Sequence, residues 1–240
     1  MDVLAEFIVI IAIVVALCIF SYKVNLMTAG ACVVSFFMAT AIGAAAGIWW
    51  TLAFFTFPAI AFASTKIGFK KKSEEGLQEG KRGERSTLNI LGVGTIPTVI
   101  ALAYFFTDGA GFEQTVAFVS ALAVSCSDTV ASEIGVRDKR VYMITTLKPC
   151  EVGLNGGISR FGMFVSAASA LLFSFVAFSL VMQDLDVRFL IPAFAGIMGN
   201  IFDSLFGALF ENKGRMSKYT VNCSTSLIGA TIGCVIAFLI

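Results

Sequence analysis

Apolar residues run along the chain in long blocks separated by short polar stretches. Nothing shows the strict alternation that a membrane β-barrel requires. Eight blocks are long enough to cross a hydrocarbon core of about 30 Å as helices. They lie at about 3–20, 28–45, 47–65, 89–106, 113–133, 161–182, 188–210 and 222–240. The pattern predicts an all-α polytopic membrane bundle of eight transmembrane helices, a single domain over 1–240. Within it, 1–65 supplies three scaffold helices and 80–240 carries the polar motifs. The first block opens with Met1, Asp2 and Glu6, without a basic start or a cleavage signature. It reads as a helix rather than a signal peptide.

Charge sorts with this alternation. Of the 17 Lys and Arg, all but Arg188 fall on one side, at Lys23 and within 66–85, 137–160 and 213–218. The other side holds Asp2, Glu6, Asp108, Glu113, Asp184 and Asp186. The positive-inside rule then puts the basic loops in the cytoplasm and both termini outside. Trp49 and Trp50 are expected at the outer interface. Chain size and the lack of a transit peptide suggest a prokaryotic cell membrane.

Composition narrows the chemistry. With 58% hydrophobic and 14% charged residues the chain is no soluble enzyme. A net charge of +1 points to no nucleic-acid partner. The absence of histidine excludes Ser–His–Asp triads, His-ligated zinc and imidazole bases. The six cysteines form no CxxC pair and read as free, mostly buried thiols.

Ionisable residues well inside a membrane span are costly and usually functional. Two stand out, Asp128 and Asp203. On a helical wheel Asp128 shares a polar stripe with Ser125, Thr129, Ser132 and Glu133. Asp203 shares one with Asn200, Ser204, Glu211 and the small Gly196 and Gly207. Both helices run from outside to inside, and both carboxylates lie ~9–12 Å from their cytoplasmic ends. Two carboxylates at equal depth suit a shared Mg²⁺, with Glu133 as a weaker third ligand or an orienter of Lys148.

Two basic loops are long, about 66–88 and 134–160. The second gathers Thr145, Thr146, Lys148, Asn155, Gly156, Gly157, Ser159 and Arg160 just before a helix start. It can form an anion site through glycine N–H groups, cations and the helix dipole, or simply a turn. No Walker loop is present. The first loop ends in GKRGERSTLN, where Lys81, Arg85 and Asn89 are four apart and Arg82 adjoins them. These are candidates for phosphate contact, whereas 70–72 reads as a topology signal.

The segments SDTVASEIG, ITTLKPCEVGLNGGIS, DSLFGALFE and TVNCSTSLIGA resemble the integral-membrane family known as domain of unknown function 92. That family includes plant phytyl-phosphate kinase and transmembrane protein 19. The resemblance covers about 80–240 and departs from the family pattern at Val130, Leu154 and Glu211. The motif style is also similar to that of CTP-dependent polyprenol kinases.

The resemblance implies a membrane kinase that transfers the γ-phosphoryl group of a nucleotide, CTP by analogy, to an isoprenoid monophosphate. The phytyl, geranylgeranyl or farnesyl phosphates are of the implied type, and the product is the diphosphate. It marks Asp128, Lys148 and Asp203 as catalytic, with Mg²⁺ on Asp128 and Asp203. Thr129, Ser132, Thr145, Thr146, Lys148, Asn155, Gly156, Gly157 and Arg160 are expected to hold the nucleotide. Arg82, Arg85 and Asn89 are expected to hold the lipid phosphate. The alternatives are a lipid cytidylyltransferase, a prenol kinase and, in another class, a transporter. The oligomeric state is left open.

Overall fold

The computed structural model describes residues 3–78, 80, 82–107 and 111–240. Eight helices in it are long and apolar enough to cross a membrane. In chain order these are α1 (Val3–Lys23), α2 (Ala29–Ala46), α3 (Ile48–Lys66), α5 (Thr87–Phe106), α6 (Phe112–Gly135), α7 (Arg160–Met182), α8 (Leu190–Phe206) and α9 (Lys218–Leu239). The predicted spans and the observed ones agree to within a few residues at each end.

The two long loops carry more structure than their composition announces. A short helix, α4 (Phe69–Glu74), lies in the first. The second folds back on itself through β1 (Tyr142–Met143) and β2 (Gly157–Ile158), which pair antiparallel.

Helix α6 is the centre of the bundle. It is buried on nearly every side and packs against α3, α5, α7, α8 and α9. Its sequence explains this placement. Lipid tails are as apolar as leucine, so helices associate in a membrane through close packing and hydrogen bonds. Ala, Ser and Val dominate α6, and the glycines of its neighbours let backbones approach. Gly196 of α8 sits on Ala123, and Gly229 of α9 sits on Val124. Side-chain hydroxyls then tie the layers together. Ser127 donates to the Gly196 carbonyl at 2.8 Å, and Ser226 to the Ala121 carbonyl at 3.2 Å. The large exposed side chains, such as Phe37, Phe106 and Phe238, lie on the outer helices, where lipid would meet them.

Trp50 departs from expectation. It is buried and stacks on Tyr104 and Phe118, with ring centroids 4.6 and 4.4 Å away. Only Trp49 is exposed as an interfacial anchor should be. The two are adjacent on a helix, so they point about 100° apart and cannot share one environment.

Helices α2, α5, α7 and α9 all begin at the end of the bundle that bears the basic loops. Each start is capped by a hydroxyl. Thr28, Ser86, Ser159 and Ser217 accept from the N–H of Ala31, Asn89, Gly162 and Thr220, respectively. Such caps satisfy backbone donors that the first helical turn leaves open. Ser159, a candidate anion ligand by sequence, is therefore a helix cap.

Candidate functional site

At this end of the bundle a cavity of about 370 Å³ opens between α6, α7, α8 and the 152–159 turn. Asp128 and Ser132 enter it from α6, Asn200 and Asp203 from α8, Asn155 from the turn and Lys218 from the start of α9. The two aspartates thus line one and the same cavity. Thr225 of α9 donates to Asp203 Oδ2 at 3.1 Å. At the deep end, Asn200 Nδ2 donates to Ser166 Oγ of α7 at 2.8 Å.

The Asn155–Gly156–Gly157 turn is locked onto the end of α8. Gly156 adopts φ +81°, and a Cβ there would run into Ala208 and the Ser204 carbonyl. Gly207 in turn faces Asn155. Past Phe206, α8 widens into one π-type turn, Gly207–Glu211. Such turns often mark functional sites. Just beyond it, Asn212 Nδ2 donates to the Asn155 carbonyl at 2.8 Å.

A second, smaller pocket of about 50 Å³ lies on the other side of Asp128. Its polar lining is Arg85, Asn89, Asp128, Thr129, Ser132, Lys218 and Asn222. The rest is apolar and includes Met27, Phe57, Pro58 and Val93. Asp128, Ser132 and Lys218 thus line both spaces. The Arg85 main chain is fixed beside this pocket. Its N–H donates to the Leu26 carbonyl at 2.8 Å, and its carbonyl accepts from Thr28 N–H at 3.1 Å.

Several sequence candidates lie elsewhere. Glu133 lines the larger cavity, but its carboxylate is taken up by Lys72 at 2.5 Å, Arg85 at 2.8 Å and Thr65 at 3.0 Å. It is the anchor of a buried ion cluster, which corrects its assignment as a third metal ligand or an orienter of Lys148. Thr145, Thr146 and Lys148 form the exposed tip of the β1–β2 fold-back and do not line the cavity. The tip closes tightly because Met143 N–H donates to the Lys148 carbonyl at 2.9 Å and Leu147 adopts φ +55°.

Arg160, at the first position of α7, is exposed and also outside the lining. Gly157 N–H donates within the turn to the Leu154 carbonyl at 2.9 Å, so it is not offered to an anion. Arg82 is exposed and donates to Asn25 Oδ1 at 3.1 Å. Lys81 lies outside the described residues.

Three residues escaped the sequence reading. Lys218 and Asn222 both line the smaller pocket. The Ser217-x-x-Thr220 cap sets the start of α9 at Lys218 and puts Lys218 and Asn222 on one face, four apart. Lys72 looked like part of a topology signal and is instead buried against Glu133.

Comparison with known proteins agrees with this architecture. The family model for the integral membrane protein DUF92 matches residues 12–233. An uncharacterized membrane protein of Methanocaldococcus jannaschii is 33% identical over 174 residues, 72% of this chain and 69% of its own. The chloroplastic protein VTE6 of Arabidopsis thaliana is 29% identical over 184 residues, 75% of this chain and 55% of its own. Protein PGR of the same plant is 28% identical over 176 residues, 64% of this chain and 61% of its own. No solved structure matches. With the family model spanning nearly all of the bundle, the chain belongs to the DUF92 family of integral membrane proteins.

Proposed function

We propose that the protein is a membrane phosphotransferase that moves the γ-phosphoryl group of a nucleoside triphosphate, CTP by family resemblance, onto an isoprenoid monophosphate. One observation carries this reading. Asp128, Ser132 and Lys218 form a wall shared by a polar cavity and a largely apolar pocket. A donor held in the larger space and an acceptor phosphate held at the mouth of the smaller one would meet at this wall. The apolar tail would leave on the side of Met27, Phe57 and Val93.

The chemistry needs little from the protein beyond placement and charge. An acceptor phosphate is already ionised, so no strong base has to remove its proton. One of its oxygens attacks the γ-phosphorus. The bond from that phosphorus to the β–γ bridging oxygen breaks, and the nucleoside diphosphate leaves with the electron pair. Lys218 neutralises charge where the two phosphates approach, and Arg85 and Asn89 orient the acceptor. A chain without histidine can perform every one of these tasks.

Asp128 and Asp203, with the Thr225 hydroxyl turned onto the second, make a donor set of hard oxygens. Among the described residues no three His, Cys, Asp or Glu side chains gather into a metal cage. A two-carboxylate set suits Mg²⁺, which usually shares its remaining positions with water and substrate phosphates. Bound there, Mg²⁺ would supply charge neutralisation for the donor phosphates.

The test is a product assay on purified protein in detergent or vesicles, with CTP, ATP, GTP or UTP, Mg²⁺ and farnesyl, geranylgeranyl or phytyl monophosphate. The expected products are the prenyl diphosphate and the nucleoside diphosphate. A CDP-lipid with pyrophosphate would make the protein a cytidylyltransferase. Monophosphate formed from the free prenol would make it a prenol kinase. Failure to turn over any prenyl phosphate sinks the reading.

A further inference from the structure

The buried cluster around Glu133 ties four segments together at one carboxylate. Lys72 comes from α4, Arg85 from the residues preceding α5, Thr65 from the last turn of α3, and Glu133 from α6. The charged side chains are nearly sealed from solvent, with 5% exposure for Lys72, 7% for Glu133 and 15% for Arg85. Charges removed from water in this way are expensive unless each is paired and hydrogen-bonded. Here the pairing is dense. Lys72 Nζ reaches Glu133 Oε2 at 2.5 Å, the Glu133 carbonyl at 3.2 Å and the Thr65 carbonyl at 3.1 Å, using all three of its protons. Arg85 Nη2 meets both Glu133 Oε1 at 2.8 Å and Thr65 Oγ1 at 3.2 Å.

Arg85 is therefore held at both ends. Its main chain is stitched to the α1–α2 turn, at Leu26 and Thr28, and its guanidinium to Glu133. A free arginine side chain carries considerable rotamer entropy. This one has surrendered it before any ligand arrives, and it lines the pocket that holds Asn89, Asp128 and Lys218. A guanidinium fixed in advance at a pocket of this kind is suited by its charge to an anionic phosphate monoester.

We propose that Glu133 is a positioning residue for the acceptor phosphate. It orients Arg85 toward that phosphate, and Lys72 holds Glu133 in place. This deepens the assignment of Arg85 to the lipid phosphate and rests on that part of the functional reading. It gives the basic 66–85 segment a task beyond setting topology, because Lys72 locks α4 to the site.

The experiment measures the Kd for farnesyl monophosphate and for CTP–Mg²⁺ separately, by thermophoresis on the purified full chain. Glu133→Gln alone leaves Lys72 buried against a neutral partner and can unfold the protein. The double variant Lys72→Met/Glu133→Gln removes both charges at nearly constant volume and keeps the measurement open. Glu133→Asp keeps the charge but retracts it by one methylene.

The double variant is expected to weaken farnesyl phosphate binding roughly tenfold, the scale of about one charge-assisted hydrogen bond. Its CTP–Mg²⁺ affinity should fall by clearly less, since Glu133 lines the donor cavity but spends its carboxylate on Lys72, Arg85 and Thr65. Glu133→Asp should fall between the two. Unchanged farnesyl phosphate affinity in the double variant overturns the proposal, and so does an equal loss for both ligands, which is the mark of a merely structural cluster. Wild-type protein that binds farnesyl phosphate in this Glu133-dependent way but turns over no prenyl phosphate supports the positioning role and sinks the kinase reading. Wild-type protein that binds no prenyl phosphate sinks both.

Discussion

Thr225 of α9 donates its hydroxyl proton to Asp203 of α8 at 3.1 Å, turning that carboxylate toward the cavity it shares with Asp128. The bond fixes one member of the acidic pair without using charge. Asp128→Asn and Asp203→Asn should each lower kcat by roughly 10²–10³-fold, as expected for loss of a preorganised electrostatic group. Both variants should still insert and fold, because asparagine keeps the size and hydrogen-bonding capacity of the site. Thr225→Val should cost less, roughly tenfold, by freeing Asp203 to rotate. Turnover assays beside thermal melts separate lost chemistry from lost folding. An Asp203→Asn enzyme with near-normal kcat would falsify the role given to the pair.

The two candidate lysines can be ranked. Lys218 lines both pockets, while Lys148 stands exposed at the tip of the β1–β2 fold-back. Lys218→Met should therefore reduce kcat/KM more than Lys148→Met. Steady-state kinetics with both substrates varied gives the answer. The reverse order would mean that the 143–148 tip moves over the cavity during turnover.

Gly156 should tolerate no side chain. Its φ of +81° disfavours any other residue, and the new Cβ would meet Ala208 and the Ser204 carbonyl. Gly156→Ala should destabilise the protein by about 1–3 kcal/mol. It should also loosen the Asn155 carbonyl from Asn212. A melting temperature in detergent equal to that of wild type would contradict the interlock.

Cys150, in the 136–159 loop, offers a probe of both sidedness and acidity. Burial, with a smaller contribution from the nearby Glu151 charge, pushes its thiol pKa above the usual value. The thiolate is the reactive form, so alkylation near neutral pH should be slow and should accelerate as pH rises beyond the range of a free cysteine. In protein that keeps Cys150 alone, Glu151→Gln should shift that curve slightly downward, leaving the larger effect of burial. An impermeant maleimide should reach Cys150 only from the cytoplasmic side. Labelling from outside in intact cells would invert the topology.

The spans were legible because bilayer thickness imposes a length and an apolar content that single residues cannot disguise. That Asp128 and Asp203 line one cavity was legible for a related reason, since two parallel helices with acids at equal depth bring them to one level. What stayed hidden depended on contacts between distant segments. Lys72 sits among 70–72, a basic run that satisfies the positive-inside rule by itself, so nothing local distinguishes it as Glu133's partner. Glu133 falls at the edge of the Asp128 stripe, and only the arrival of α4 and Arg85 decides which neighbours it serves. Lys218 was masked in the same way by the basic 213–218 loop, although the cap at Ser217 already fixed its place at the head of α9. The NGG sequence suggested an anion nest. Its glycines are used instead for close approach to α8 at Gly156 and for an internal hydrogen bond at Gly157.

The central position of α6 bears on how the protein is made. A helix containing Ser125, Ser127, Asp128, Thr129 and Ser132 is a poor passenger in lipid by itself, since each polar group must find a partner there. Its partners at Gly196 and Thr225's neighbour Ser226 belong to α8 and α9, which leave the ribosome later. Until the last two helices arrive, Ser127 lacks its Gly196 acceptor and the Ala121 carbonyl its Ser226 donor. Asp203 and Lys218 come from these same two helices, so the cavity is complete only when the last of the chain has been inserted.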